Sequence, residues 1–300
     1  MRQTTAKWLV PLTVAALAAL AACGSPVKDQ SSDAGSSPSG AAVEATDTTT
    51  DTATEATVDE GTETATEAAL SFTPIEAGKL TVCTNPPYAP FEDVVGGEVV
   101  GFDLDLMAEV AKDLGLELSI REAPFESIES AASLESGDCD VGASALGITP
   151  ERQAKMLFSE PYYESQMGIL VAADSGIEGL ADLAGKDIGV QQGTTGEDWA
   201  KERPEIADTL RQYENLGDQM TALKAGDVVG VINDTPTLTP YVEEGYKVLT
   251  GLEGVETEPF GFVIKLDNQP LVDAVNATLT RVKADGTYDQ LLDKWELATS

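Results

Sequence analysis

Residues 79–120 read KLTVCTNPPYAPFEDVVGGEVVGFDLDLMAEVAKDLGLELSI, and their pattern decides the fold class. KLTVCT is a short β run. GFDLDLMAEVAKDLG sets Leu104, Met107, Ala108, Ala111 and Leu114 at helical spacing, and LELSI reads as a second strand. A strand, an amphipathic helix and a strand in succession specify a parallel pair covered by its connecting helix. The alternation continues: SIESAASLESG predicts a helix and CDVGAS a strand. Further on, the strand DIGVQ precedes a helix over TTGEDWAKERPE, and DVVGVIN precedes one over TPTLTPYVEEG. VDAVNATLTRVKADGTYDQLLDKW closes the chain as two helical stretches parted at Asp285-Gly286. An α/β fold with parallel-rich sheets follows, and such sheets present ligands beyond the carboxyl ends of their strands. No short-period repeat is visible, and about 226 residues from position 75 onward suffice for two lobes of roughly 100 each.

Composition excludes several functions. The 300 residues carry 52 Asp and Glu against 18 Lys and Arg, a formal net charge of −34. Affinity for phosphate comes mainly from basic side chains, so a nucleic-acid partner is not expected. There is no His. Imidazole-dependent triads, His-ligated zinc and a His general base are therefore impossible within this chain.

The first 23 residues, MRQTTAKWLVPLTVAALAALAAC, have a basic start and then an apolar run from Leu9 to Ala22, short for a membrane span. The ending Leu20-Ala21-Ala22-Cys23 resembles a bacterial lipobox, which implies a signal peptide over 1–22 and lipidation of Cys23. An extracytoplasmic protein anchored to the cell membrane is the resulting expectation. Residues 23–73 are rich in Thr, Ala and acids, with ten acids against Lys28 alone after Cys23. Too little apolar area is available there to offset chain entropy, so the segment reads as a disordered, self-repelling tether. The remainder still holds 42 acids and 15 bases. Cys83 and Cys139 remain as an even pair. If both strands run toward one ligand-facing edge, the sulfurs fall at similar depth on neighbouring strands, and a disulfide is feasible in an oxidising compartment. Two buried free thiols are the alternative.

Four stretches, NPPYAPFE (85–92), GFDLDLMAEVA (101–111), GITPERQ (147–153) and VKADGTYDQLLDKW (282–295), carry a family likeness. Together they resemble the extracellular solute-binding proteins of polar amino-acid ABC transporters, especially glutamine- and histidine-binding members. The resemblance spans about Lys79 to Leu297. It implies a two-lobed periplasmic-binding-protein fold of type II with the ligand in the interlobe cleft. Lobe 1 is then 79–165 plus 261–300, and lobe 2 is 166–260. It further implies a monomeric receptor that needs no cofactor or metal, performs no catalysis, and delivers an amino acid to a permease served by ATPase subunits.

Each motif also has its own chemistry. Asp103 is a good N-cap for its helix, with Leu104 and Met107 inward, so GFDLDLM reads as structural. Thr149 and Pro150 open a short helix that carries Arg152, whose guanidinium grips a carboxylate bidentately if it faces a cleft. Thr194 and Glu197 fit a capping box, which leaves Thr195 facing an incoming anion. Asp234 ends a strand before Thr235-Pro236, placed either to cap that helix or to pair with a ligand ammonium. The resemblance favours the ammonium, and a carboxylate clamp of Arg152 with Thr195. Tyr88 and Phe125 supply flat walls or ordinary core. Ser144, Ala145 and Gly147 offer a hydroxyl and main-chain groups where CDVGAS ends. Gly147 stands where the family commonly has Thr or Ser, and Asn85 where some binders of basic ligands carry Asp. Gln191 and Asn233 sit where the family reads the ligand side chain. These neutral groups favour an uncharged polar ligand, glutamine foremost. A sensory ectodomain is one alternative. A dehydratase-like enzyme is another, with Asp234 or Glu126 as its general acid.

Overall fold

The computed structural model describes residues 72–298. The signal-like segment, Cys23 and the acidic tract through residue 71 lie outside the described residues. Lys79–Thr84 buries Leu80 and Val82 completely and pairs in parallel with Glu117–Glu122 and Val141–Gly142. Val263–Ile264 and Leu157–Phe158 complete this five-stranded sheet. A second five-stranded sheet has the order Leu210–Tyr213, Ile188–Gln191, Gly230–Asp234, Met167–Ala172 and Tyr246–Leu249. In each sheet a single strand runs against the others, Val263–Ile264 in the first and Met167–Ala172 in the second. The alternating pattern cannot reveal that reversal, because each reversed strand is the first to follow a passage of the chain from one sheet to the other.

Those two passages lie side by side. Tyr163–Ser165 pairs antiparallel with Glu258–Phe260, Glu258 opposite Ser165 and Phe260 opposite Tyr163. Aromatic rings pack around this ribbon. Phe91 meets Phe260 at 5.4 Å between centroids and Tyr163 at 5.2 Å, and Tyr162 stacks on Phe262 at 4.1 Å. Such pairs contribute about 0.5–1.5 kcal/mol each beyond their burial, which fixes the crossing and hence the facing edges of the two sheets.

Phe102–Asp113 is the expected helix, but its buried stripe is wider than the spacing suggested: Phe102, Leu106 and Val110 join Leu104, Met107 and Ala111, while Ala108 is exposed. Its N-cap is Gly101, not Asp103. Gly101 has φ +157°, and a Cβ there would lie 1.9 Å from the carbonyl oxygen of Phe91, so only glycine fits. Asp103 is instead wholly buried and accepts from the Ala145 N–H and the Tyr162 hydroxyl, both at 2.8 Å. Its role is structural, as expected, through long-range bonds rather than a cap.

Three predicted helices are shorter or broken. SIESAASLESG forms two short helices, Phe125–Glu129 and Ala132–Glu135, interrupted where Ala131 takes φ +69°. Thr195–Lys201 stops ahead of Pro204, which cannot continue a helix. Thr235–Leu238 tightens into a 3-10 turn over Thr239–Glu244 at Pro240. The closing helices Gln269–Asp285 and Thr287–Lys294 part at Gly286 as expected. Cys83 and Cys139 are joined by a disulfide, with Cα atoms 5.6 Å apart. Among the described residues no helix is long and apolar enough to cross a membrane.

Candidate ligand-binding site

Strand ends from both sheets converge on one cavity. Asn85 follows Lys79–Thr84 and Ser144 follows Val141–Gly142, while Gln191 and Asp234 end their strands in the second sheet. This is the carboxyl-end placement that α/β sheets favour. Of the predicted residues, Tyr88, Phe125, Ser144, Ala145, Gly147, Arg152, Gln191, Thr194, Thr195 and Asp234 all line it. Asn233 does not. It lines a smaller adjoining cavity, its amide donates to Gln219 Oε1, and its Oδ1 lies 3.0 Å from the Tyr88 hydroxyl.

Arg152 is set by its own helix start. Thr149 accepts from the Arg152 N–H at 3.2 Å, and Pro150 begins the turn. The side chain is only 5% exposed. Nη1 donates to the Gly147 carbonyl at 2.9 Å and Nη2 to the Gly193 carbonyl at 2.8 Å, so the guanidinium spans both sheets. Glu129 approaches Nε at 3.8 Å, and the Phe125 ring lies 5.7 Å from the guanidinium carbon. Two backbone acceptors and an aromatic face fix a planar cation whose remaining N–H groups are free for a further acceptor.

Asp234 occupies the N-cap position of Thr235–Leu238 yet makes no capping bond. Its Oδ2 instead accepts from the Tyr88 hydroxyl, which reaches across from the first sheet. Burial raises the Asp234 carboxyl above its ordinary range, and the hydroxyls of Tyr88 and Ser165 and the charge of Arg152 work against that rise. The Tyr88 phenol, buried and facing this carboxylate, is pushed well above its ordinary value and stays protonated.

Neutral amides also line the cavity. Gln191 Nε2 donates to Asn85 Oδ1 at 3.0 Å, a third link between the sheets, and Asn85 Nδ2 donates to the Ala123 carbonyl at 3.0 Å. Gln191 Oε1 is buried without a protein donor. The Thr194 hydroxyl is used locally: it accepts from the Glu197 N–H at 3.1 Å and donates to the Gln191 carbonyl at 2.8 Å. Glu197 reaches back one residue further than a capping box requires, accepting from the Gly193 N–H at 2.9 Å. Ala145 reaches the wall with φ +46°, a left-handed conformation uncommon outside glycine.

Sequence reading missed three carboxyl groups. Glu92 lines the cavity and accepts from Ser144, and burial followed by the charge of Asp103 pushes it well above its ordinary value. Glu92 lay inside a quoted motif, but nothing local showed that it turns inward. Glu129 buttresses Arg152. Glu258 lines the cavity, with Oε2 accepting from the Thr195 hydroxyl at 2.8 Å. No local signal marks Glu258, which arrives 106 positions after Arg152 through the crossing ribbon. Glu126, a candidate acid, lies instead in the outer cleft with Glu129, Lys155 and Lys201.

Residues 80–298 match the bacterial extracellular solute-binding proteins, family 3. The chain belongs to that family. Within it, this solute-binding protein is 30% identical over 235 residues to ABC transporter arginine-binding protein 1 of Escherichia coli, covering 76% of this chain and 95% of that one. It is 32% identical over 206 residues to the ABC transporter glutamine-binding protein GlnH of Bacillus subtilis, covering 66% and 73%. Among solved structures, the ancestral amino acid-binding protein AncCDT-1, a precursor of cyclohexadienyl dehydratase, matches with a TM-score of 0.67 and 33% identity over 73% of this chain and 95% of that one. The type II periplasmic-binding fold is therefore shown for this family 3 protein, and its relatives named above include binding proteins of amino-acid ABC transporters.

Proposed function

We propose that this solute-binding protein captures a free polar amino acid, glutamine foremost, and delivers it to the permease of an ABC importer without transforming it. One observation carries the reading: the guanidinium of Arg152 and the carboxyl group of Asp234, from opposite sides, face the same cavity. In this reading Arg152 and the backbone N–H of Thr195, whose hydroxyl is given to Glu258, take the ligand carboxylate, Asp234 takes the ammonium, and Tyr88 and Phe125 flank the aliphatic part. The amides of Asn85 and Gln191 favour an uncharged side chain that both donates and accepts hydrogen bonds. Closure is favoured because only the closed form offers both sides of the clamp at once.

A cationic ligand is the second reading. Asp234 and Glu258 line the cavity against the single guanidinium of Arg152, which favours positive charge, while burial and the charge of Asp103 push the Glu92 carboxyl toward its neutral form. Calorimetry of the full chain against the twenty amino acids at neutral pH separates the two. Saturable heat with glutamine supports the first, saturable heat with arginine or lysine alone supports the second, and no heat with any amino acid rejects both. Steady absorbance on mixing with a prephenate-like compound distinguishes simple binding from dehydratase-type turnover.

Lipidation of Cys23 would hold the head outside the cell membrane on its acidic tether. Cys23→Ala should then release the protein from membranes, and undiminished membrane retention would reject the anchor.

A further inference from the structure

We propose that Glu258 is a specificity-determining residue of this site, accepting a hydrogen bond from the ligand's ammonium group in the space that a side chain at position 147 would otherwise fill. The inference rests on the reading of the cavity as an amino-acid site.

Backbone pairing seats Glu258 over Gly147. The Gly261 N–H donates to the Leu146 carbonyl at 3.0 Å, the Ile148 N–H donates to the Pro259 carbonyl at 2.8 Å, and Gly147 bridges to Phe260. A Cβ built on Gly147 would lie 1.5 Å from Glu258 Oε1. Any larger residue at 147 therefore expels the carboxyl, and the two positions interlock.

The two oxygens of Glu258 differ. Oε2 is occupied by the Thr195 hydroxyl. Oε1 is buried with no donor from the protein. A buried acceptor without a donor is costly, and an ammonium, with three donors, suits a corner that already holds the carboxylate of Asp234. Glu258 does not itself consume the guanidinium. Among the described residues, Glu129 is the carboxylate within 4.0 Å of Arg152, which leaves Arg152 available for the ligand carboxylate.

The charge state of Glu258 is set by its neighbours. Burial, followed by the charge of Asp234, pushes it up to about 7, while the Thr195 hydroxyl and Arg152 oppose the rise. Tyr88 and Glu92 also line the cavity, and burial pushes both well above their ordinary values. An ammonium beside Glu258 favours its charged form, so binding below pH 7 releases a proton and tightens as pH rises.

The test is calorimetry of the full chain and of Glu258→Gln, with L-glutamine and with L-arginine, at pH 6 and pH 8. Gln keeps the volume and can still accept from Thr195, so thermal unfolding of the variant should match the wild type. Affinity of the wild type should rise about tenfold between the two pH values, following ionisation of a group near 7. The variant should bind about tenfold or more weakly at pH 8 and lose the pH slope, as expected for a lost charge-assisted bond. The wild type should also reject the analogue carrying hydroxyl in place of the α-amino group more strongly than the variant does. A folded variant with wild-type affinity and slope overturns the role of Glu258 and leaves the amino-acid reading intact. A wild type that binds no amino acid overturns that reading, and the inference with it.

Discussion

Arg152 Nη2 donates to the carbonyl of Gly193, 41 residues away in sequence and on the facing sheet, at 2.8 Å. With Tyr88 bonded to Asp234 and Gln191 bonded to Asn85, it forms three polar links across the cavity. The groups proposed to read the ligand are thus also the groups that hold the sheets together, which makes closure and recognition one equilibrium.

Arg152→Ala should weaken ligand binding by about 2–5 kcal/mol, the usual cost of leaving a buried charge unpaired. Arg152→Lys keeps the charge but not the fork that bonds Gly147 and Gly193, and should recover little of the loss. Calorimetry of the three proteins checks this, and wild-type affinity in either variant contradicts the clamp.

Tyr88→Phe keeps the aromatic wall and deletes the hydroxyl that favours the charged form of Asp234. Ligand affinity at pH 7 should drop about tenfold, corresponding to a hydrogen bond to a charged group. Equal affinities by titration would show that Asp234 does not depend on this donor.

Stability should fall as pH rises. Burial holds Asp103 at about 7, above its ordinary 3.8, despite the donors Ala145 and Tyr162. The folded chain therefore binds this proton more tightly than the unfolded chain. The contribution is complete below about pH 4 and lost as pH rises through about 7. The raised carboxyl of Glu92 acts in the same direction. Asp103→Asn retains an oxygen that accepts from both donors, so its melting temperature should fall less between pH 5 and pH 8. Parallel melting curves for the two proteins would refute the assignment.

The Cys83–Cys139 disulfide closes a loop across 56 positions. Replacing both cysteines by serine should cost roughly 2–5 kcal/mol in denaturant unfolding, as for native disulfides generally. Mass spectrometry of the wild type without reductant should show no alkylatable thiol at either position, and two such thiols would remove the basis for the effect.

Wherever the governing force acts within a few residues, the chain could be read directly. The alternation after Lys79, the Thr149-Pro150 start that seats Arg152 and the break at Gly286 depend on neighbours in sequence, so composition and spacing expose them. The interruption at Ala131 and the reversed strands did not show, because each answers to packing from elsewhere in the chain.

The amino-acid sequence alone determined the α/β alternation, the excluded imidazole chemistry and the local frame around Arg152 and Thr194. Only the tertiary structure decided which carboxyl groups reach the cavity. Asp103 left its expected cap for Ala145 and Tyr162, Glu92 turned inward to Ser144, and Glu258 came to rest on Gly147. Burial energy and electrostatics act through space, and residues more than a hundred positions apart meet only once the ribbon between the sheets is packed.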